Sequence, residues 1–292
     1  MPTSQITSLI LLFLISYASA QTAVVFGGSG AVGSEVLKSA LSDDFFEKVI
    51  VVGRPGSSKK INAIVSSTAS EEKVTNINLD RVEDISTYVG IERADTCLVA
   101  LGVSSPHHTN LKQWLSVEVD LIGTIAEFCS KIQARTISLL SAVDVEYESA
   151  VPFTKEEIAS YGEGSLGWIK MIILYMRVKG LEEKAVIESA SDVQYIRLFQ
   201  PNTILTDETR YGWFDAILFR LHGLLDPILP ARYHSVHVRL LGAAMVADAK
   251  KKLQGKEGDE TQQDVAKLTY EDYVSVVDKA FQDIPEAKRE EL

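Results

Sequence analysis

The feature that most constrains the fold is a glycine-rich segment near the start of the chain. Gly27, Gly30 and Gly33 stand in VVFGGSGAVGSEVL, between a predicted strand and a predicted helix. Backbone N–H groups at such a helix N-terminus can bind a pyrophosphate, whose approach a side chain at these positions would block. The GxxGxxG spacing is one residue longer than the plain GxGxxG pattern. Because turns collect glycine in any fold, it is the strand–turn–helix context that predicts a dinucleotide site.

Beyond this segment, short β-branched runs alternate with longer helical stretches. The predicted strands cover residues 23–27, 48–53, 74–78, 96–101, 136–140 and 194–198, and the predicted helices cover residues 33–46, 110–131 and 171–190. Consecutive apolar residues in the strands are typical of a sheet covered on both faces. The pattern predicts an α/β fold, a Rossmann-like doubly wound parallel sheet with helices on both faces and a small C-terminal substrate-side region.

The chain is predicted to divide into a main domain and a C-terminal segment. Residues 21–254 form the nucleotide-binding domain, and residues 255–292 form a charged segment with one helix at 270–281. Within the domain, residues 146–168 are predicted to form a loop over the carboxyl edge of the sheet. Residues 206–233 carry apolar side chains at helical spacing, which favours a substrate-side helical region packed on its own domain over a membrane-binding helix.

The end of the second predicted strand bears on which dinucleotide is bound. Arg54 stands where an NAD-selective protein usually has an acidic side chain for the ribose hydroxyls. A guanidinium there favours the 2′-phosphate of NADP(H), and Lys59 and Lys60 are candidates to add charge. The alternative is that Arg54 projects into solvent at a strand end.

The next two strands supply further candidate contacts, because the carboxyl ends of parallel strands share one edge of the sheet. Asn78 and Leu79 end the third strand, where the adenine is expected. Leu101 and Gly102 end the fourth strand, where the backbone must pass close to the cofactor.

A tyrosine and a lysine four residues apart form the candidate catalytic pair. Tyr175 and Lys179 belong to YMRVK in a predicted helix, and their spacing brings both side chains to one helix face. The ammonium of Lys179 would lower the pKa of the phenol and bind the nicotinamide ribose, so that Tyr175 exchanges a proton with a carbonyl or alcohol oxygen. Ser141, after the fifth strand, is placed to hydrogen-bond the same oxygen. A solvated helix face is the alternative explanation of the pair.

Several segments spread over most of the chain resemble the short-chain dehydrogenase/reductase superfamily. They are GGSGAVG, VVGRP, CLVALG, SLLSAVD, YMRVKGLEEKAV, RLFQPNTIL and HSVHVRLLGAAM. Within the superfamily, the sequence is most similar to the Tat-interacting-protein-like branch of atypical members. The resemblance implies NADP(H) binding by the three glycines and Arg54. It also implies that Ser141, Tyr175 and Lys179 occupy the reductase positions.

The resemblance further implies that Pro201 and Asn202 lie beside the nicotinamide. The chain departs from the family pattern where Asp, Arg, Gly and Asn are usual, namely at Asn78, Gln200, Asn202 and Asp120. The segment before the tyrosine is also longer than usual. These departures leave the expected cofactor binding intact and bear mainly on catalysis.

The charge, cysteine and histidine content bears on three other features: nucleic-acid binding, disulfide bonds and metal sites. The net charge is −11 with no basic cluster, which argues against a nucleic-acid partner. The two cysteines, Cys97 and Cys129, define no disulfide framework. Cys97 lies in an apolar run and is expected to be a small buried side chain. The five histidines show no metal-ligand spacing, so no metal is predicted.

The two ends of the chain carry sequences that resemble targeting signals. Residues 1–20 are uncharged, and SLILLFLISYASA ends in the small-residue pattern of a signal-peptidase site, although Lys and Arg are absent before it. Residues 289–292 are Arg-Glu-Glu-Leu, a variant of the KDEL-type retrieval signal. Together they predict residence in the endoplasmic reticulum lumen. The alternatives are an uncleaved N-terminal segment and a cytoplasmic location.

Two functions are the main hypotheses. The first is an NADP(H)-dependent oxidoreductase that transfers hydride to or from a carbonyl or secondary alcohol, with residues 206–233 shaping a pocket for an apolar small-molecule substrate. The second is a non-catalytic NADP(H)-binding protein that regulates a protein partner. Nucleotide-sugar epimerase chemistry uses the same serine, tyrosine and lysine but usually favours NAD, against which Arg54 argues.

Overall fold

The strands of the computed structural model follow the apolar runs of the sequence. In chain order they are β1 Gln21–Phe26, β2 Phe46–Gly53, β3 Val74–Asn78, β4 Thr96–Val99, β5 Thr136–Leu140, β6 Tyr195–Phe199, β7 Ile204–Leu205, β8 Val236–His237 and β9 Asp264–Leu268. Seven of them form one parallel sheet in the order β3-β2-β1-β4-β5-β6-β9, and β7 pairs with β8. The structure describes residues 21–68, 70–103, 109–161, 168–206, 226–255 and 262–282.

The helices connect these strands and lie on both faces of the sheet. They are α1 Ala31–Ser42, α2 Ser58–Ser67, α3 Leu111–Leu115, α4 Ile122–Lys131, α5 Lys155–Ser160, α6 Trp168–Ser189, α7 Val238–Gln254 and α8 Tyr270–Gln282. A π-helical turn at Ser116–Leu121 joins α3 to α4. None of the helices within the described ranges combines the length and apolar composition that crossing a bilayer requires.

Two hydrophobic cores, one on each face, hold the sheet between the helices. Alternate residues of β1 enter opposite cores: Ala23 and Val25 pack under α1, α2, α7 and α8, whereas Val24 and Phe26 pack under α4 and α6. This alternation follows from the twofold period of a strand, and burial on both sides requires apolar residues at every position. The Rossmann-like doubly wound α/β fold predicted from the sequence is confirmed.

The charged C-terminal segment departs from the prediction. Besides the expected helix, it contributes β9, which pairs with β6 at the edge of the main sheet. Its sequence, DVAKL, has partly exposed side chains up to Leu268, because an edge strand is covered less completely than a central one. Because this strand contains polar residues, it does not form the apolar run by which the other strands were predicted from the sequence. The helix α8 packs against α7, so this segment completes the same layers.

The predicted loop at 146–168 is partly described, and its described part is held against α6. Residues 146–161 include the short helix α5, and the Arg177 guanidinium donates hydrogen bonds to Glu157 and to the carbonyls of Val151 and Pro152. The remaining residues of this loop, most of the 206–233 segment and both chain ends lie outside the described residues.

The two cysteines form a disulfide that was not predicted from the sequence. Cys97 of β4 and Cys129 of α4 are fully buried and form a disulfide across a sequence separation of 32 residues. Cys97 therefore is buried, as expected, but it is not a free thiol. Two cysteines in a sequence do not reveal whether the fold brings their sulfurs together, because that depends on how α4 packs on β4.

Candidate functional site

The predicted site residues gather around the carboxyl ends of the central strands. In the sheet order, β2 lies on one side of β1 and β4 on the other, so the connections after β1 and β4 leave the sheet toward opposite faces. A crevice outside the carboxyl ends at such a switch point is where open α/β sheets bind ligands. The glycine-rich turn follows β1, and residues 100–103 follow β4.

The turn after β1 has a backbone that requires glycine at two positions. Gly27 has a φ of +85°, and a Cβ atom there would lie 2.5 Å from the carbonyl oxygen of Ala100. A Cβ atom at Gly33 would overlap the carbonyl oxygen of Gly27. The N–H of Gly30 donates to that same oxygen at 2.8 Å, immediately before α1 begins. The close packing of turn, strand and helix leaves this helix N-terminus open to an anionic ligand.

A cavity of about 470 Å³ adjoins this turn. Gly27, Ser29 and Leu101 line it on the turn side, and Arg54 and Lys60 line it at the end of β2. The cavity therefore combines a glycine-lined backbone surface with two cations, which fits the pyrophosphate and an additional phosphate of a dinucleotide.

Three other predicted cofactor contacts, Asn78, Leu79 and Pro201, lie near the same edge of the sheet. Each of them makes a hydrogen bond to another part of the protein. The Asn78 side chain accepts a hydrogen bond from the Ser58 hydroxyl at 2.7 Å, and the Leu79 N–H donates to the Gly53 carbonyl at 2.9 Å. Pro201, after β6, accepts a hydrogen bond from the Val143 N–H at 3.0 Å.

Lys179 lies inside the protein and is not on a solvated helix face. Its ammonium is 2.6 Å from Glu118 Oε2 and 2.7 Å from Glu182 Oε2, and its side chain is only 6% exposed. Tyr175 lies one turn earlier on α6, half-buried, with its ring centroid 6.1 Å from that of Trp114. The pair is therefore built into the protein, with the lysine as the more deeply buried member.

The second oxygen of Glu118 reaches the other side of the site. Glu118 belongs to the π-helical turn, and its Oε1 accepts a hydrogen bond from the Val103 N–H at 2.7 Å. A Cβ atom at Gly102 would come within 3.2 Å of the same oxygen, so a side chain there would press on Glu118. One carboxylate thus contacts both the connection after β4 and the lysine of α6.

The cluster shifts the pKa of two of its members in the same direction. Burial opposes the charged form of Lys179, but the carboxylates of Glu118 and Glu182 outweigh it and raise its pKa well above the ordinary 10.5. Burial raises the pKa of Glu182 well above 4.5 against the attraction of Lys179. Glu182 accordingly holds its proton more strongly than an exposed glutamate does.

Ser141 makes a different contact from the one its predicted role requires. Its hydroxyl is buried directly after β5 and donates to Glu183 Oε1 at 2.5 Å, and the Gln200 amide donates to the same oxygen at 2.8 Å. Burial raises the pKa of Glu183, although both hydrogen bonds work against that rise. Glu183 lies two helical turns beyond Tyr175, which is about 12 Å along the axis.

Asn202 joins the connection after β6 to the segment before β8. Its side-chain amide donates to the Tyr233 carbonyl at 2.6 Å, and the Tyr233 hydroxyl donates to Asp144 at 2.7 Å. Where the family pattern has glycine, this chain therefore has a side chain that ties two connections together.

The sequence matches no model of a known protein family. It also matches no characterised protein sequence. Solved structures are similar to it. A short-chain dehydrogenase/reductase from Serratia marcescens is 14% identical with a TM-score of 0.53, over 86% of this chain and 96% of that one. A 3-oxoacyl-[acyl-carrier protein] reductase from Brucella melitensis, in complex with NAD, is 13% identical with a TM-score of 0.57, over 88% and 98%.

A thiolation-reductase di-domain from an archaeal non-ribosomal peptide synthetase is 15% identical with a TM-score of 0.58, over 92% of this chain and 61% of that one. This chain has the short-chain dehydrogenase/reductase fold. Identities this low describe shared architecture, and the short-chain dehydrogenase/reductase fold accounts for the strand order and the position of the glycine turn.

Within the short-chain dehydrogenase/reductase fold, the site contains three buried glutamates, Glu118, Glu182 and Glu183, that were not predicted from the sequence. Glu182 and Glu183 stand in KGLEE directly after the YxxxK motif, and their place on one helix was the available signal. Glu118 had no local signal, because its partner Lys179 lies on a different helix. Asp120, the acidic residue of VEVDLIGT at which the chain departs from the family pattern, is exposed.

Proposed function

We propose that the protein is an NADP(H)-dependent oxidoreductase of the short-chain dehydrogenase/reductase type, in the atypical Tat-interacting-protein-like branch. Its substrate would be a small apolar carbonyl compound or secondary alcohol. The observation that carries the proposal is the pairing of Tyr175 with the buried Lys179, one turn apart on α6. The ion pair of Lys179 with Glu118 ties this pair to the connection after β4, close to the glycine-lined cavity.

The glycine turn would hold the dinucleotide through backbone contacts. Gly27 and Gly33 allow the turn to pack closely against residues 100–101 and the start of α1, and together with Gly30 they would present the N-terminus of α1 to the pyrophosphate. The guanidinium of Arg54 and the ammonium of Lys60 line the same cavity and suit a 2′-phosphate, which favours NADP(H) over NAD(H).

The remaining contacts divide between the two ends of the cofactor. Asn78 and Leu79 would lie beside the adenine, and Leu101 and Gly102 would pass beside the nicotinamide half. Pro201 and Asn202 would close the nicotinamide side. Bound NADP(H) supplies or accepts the hydride.

The protein's own residues would manage the proton of the reaction. The Tyr175 phenol would exchange a proton with the substrate oxygen, and the positive charge of Lys179 would favour the phenolate. Ser141 would be the second hydrogen-bond donor to that oxygen. Because its hydroxyl donates to Glu183, it must turn away from that carboxyl group to serve a substrate.

A cofactor titration tests the nucleotide assignment. We expect NADPH to bind more tightly than NADH, and Arg54→Glu to remove or reverse the difference, because the substitution replaces attraction to a phosphate by repulsion. Lys59→Glu makes a comparable charge change at an exposed neighbour that does not line the cavity, and should leave the preference in place. Equal affinities for the two cofactors in the unchanged protein would contradict the role of Arg54.

A turnover assay tests the chemistry. NADPH oxidation should be followed against aldehydes, ketones and quinones, and Tyr175→Phe should abolish turnover while NADPH affinity stays nearly the same. Tyr195→Phe, at the opposite end of the sheet in β6, is the matched control. Full activity in Tyr175→Phe would exclude this phenol as the proton donor.

A non-catalytic NADP(H)-binding regulator is the second candidate function. Two contacts favour it: the Lys179 ammonium is held by two carboxylates, and the Ser141 hydroxyl is held by Glu183. Tight NADPH binding without oxidation of any tested substrate, together with capture of a protein partner that depends on NADPH, would support this candidate over the first.

We further propose that the protein resides in the endoplasmic reticulum lumen. The disulfide between Cys97 and Cys129 supports this location, since disulfides persist mainly in oxidising compartments. The experiment is to image the protein with an internal tag, beside a version that lacks residues 289–292. Reticular localisation that changes to secretion on truncation is the expected result, and diffuse cytosolic localisation of the full-length chain would contradict it.

A further inference from the structure

The two oxygens of the Glu118 side chain serve two different parts of the molecule. Oε1 accepts the Val103 N–H at 2.7 Å, and Oε2 lies 2.6 Å from the Lys179 ammonium. The side chain itself is only 3% exposed. Water therefore does not replace either partner, and the carboxylate is a direct link between the connection after β4 and helix α6.

The position of Glu118 in the chain suits such a link. It lies in the π-helical turn between α3 and α4, where the helical repeat is locally wider. π-Helical turns of this kind occur often at functional sites. The turn presents Glu118 to Val103 and Lys179, whereas Asp120, two residues later, is exposed.

Glu182 makes the Lys179 ammonium less dependent on Glu118 for its charge balance. It contacts the same ammonium at 2.7 Å, and burial favours its protonated form. If Glu118 lost its charge, Glu182 could ionise and remain as the counter-ion. The feature specific to Glu118 is therefore its simultaneous contact with the Val103 N–H.

We propose that Glu118 is a positioning residue that clamps the connection after β4 to Lys179, so that the cofactor-binding edge and the Tyr175–Lys179 helix are held in one arrangement. The inference rests on the proposed binding of NADP(H). The Glu118 carboxylate accepts the Val103 N–H with Oε1 and at the same time pairs with the Lys179 ammonium through Oε2. A glutamine has one acceptor oxygen and cannot do so, because its amide nitrogen only donates.

Glu118→Gln is the decisive variant, and Glu182→Gln is its matched control. Both substitutions change a carboxyl group beside the same ammonium, but only the first removes an acceptor that the clamp needs. For Glu118→Gln we expect NADPH to bind about tenfold more weakly, the effect of one lost hydrogen bond to a charged group. The Michaelis constant for NADPH should rise by more than kcat falls, because Lys179 keeps Glu182 as a counter-ion.

Amide hydrogen exchange tests the clamp without turnover. In the unchanged protein, the Val103 amide should exchange as slowly as that of Ala100, which donates to the Phe26 carbonyl in the sheet. Glu182→Gln should leave the Val103 amide protected. Rapid exchange at Val103 in the unchanged protein would overturn the proposal even if Glu118→Gln failed to fold.

The outcomes separate this inference from the proposed function. If the unchanged protein does not bind NADPH, the proposed function fails, and protection of Val103 still reports on the contact with Glu118. If NADPH binds and Glu118→Gln binds it equally well, the proposed function stands and the clamp is wrong.

Discussion

The glycine turn after β1 and the charged cluster around Lys179 both contact the connection after β4, but different forces shape them. In the turn, Gly27 and Gly33 admit no side chain because backbone atoms occupy the space. In the cluster, Glu118 and Glu182 hold the Lys179 ammonium away from water. The turn depends on steric fit between chain segments, whereas the cluster depends on the balance of buried charges.

This difference decides how each region responds to substitution. Any added side chain disrupts the close backbone packing of the turn, whatever the charge of that side chain. A buried ion pair is lost when one partner is removed, because the other charge is left without compensation. Variants that change shape alone or charge alone therefore distinguish the two regions.

The largest effect is expected at Lys179. Lys179→Met keeps an apolar stem of similar length but removes the ammonium from between two carboxyl groups, and should lower the free energy of unfolding by about 3–5 kcal/mol. Lys184→Met removes a lysine from the same helix, where its pair with Glu188 is partly exposed at 3.9 Å. That control should change stability by less than about 1 kcal/mol. Urea unfolding of both variants provides the measurement, and equal losses would show that buried charge does not hold the cluster.

A somewhat smaller loss of stability, with a larger effect on binding, is expected in the turn. Gly33→Ala adds a methyl group that overlaps the Gly27 carbonyl, which should cost about 1–3 kcal/mol and abolish NADPH binding. Gly255→Ala, at the end of α7, meets only ordinary contacts of 3.5 Å and serves as the control. Calorimetric titration with NADPH checks the result, and unchanged affinity in Gly33→Ala would mean that the dinucleotide does not bind at this turn.

The smallest effect is expected in the pH dependence of stability. Burial raises the pKa of Glu182 above 4.5, so the folded protein retains a proton that the unfolded chain releases. Stability should therefore fall as the pH rises from 4.5 toward the raised pKa, and Glu182→Gln should remove that part of the fall. Glu188→Gln, at an exposed site on the same helix, should keep the slope of the unchanged protein. Urea unfolding at several pH values measures the slope, and identical slopes in all three proteins would contradict the raised pKa of Glu182.

The sequence by itself determined the doubly wound sheet and predicted the glycine turn. Strands buried on both faces must be apolar at consecutive positions. The spacing of Gly27, Gly30 and Gly33 reflects a steric requirement for glycine within one short segment. The YxxxK spacing likewise placed Tyr175 and Lys179 on one helix. These features can be predicted from the sequence because the interacting residues are close together in the chain.

Only the tertiary structure decided which charges and sulfurs meet. Glu118 reaches Lys179 because the π-helical turn packs against α6, and Cys97 reaches Cys129 because β4 and α4 contribute to the same hydrophobic core. The edge strand β9 joined the sheet through backbone hydrogen bonds that its mixed side chains did not indicate. Contacts between distant segments depend on the packing of whole elements, so no local residue pattern specifies them.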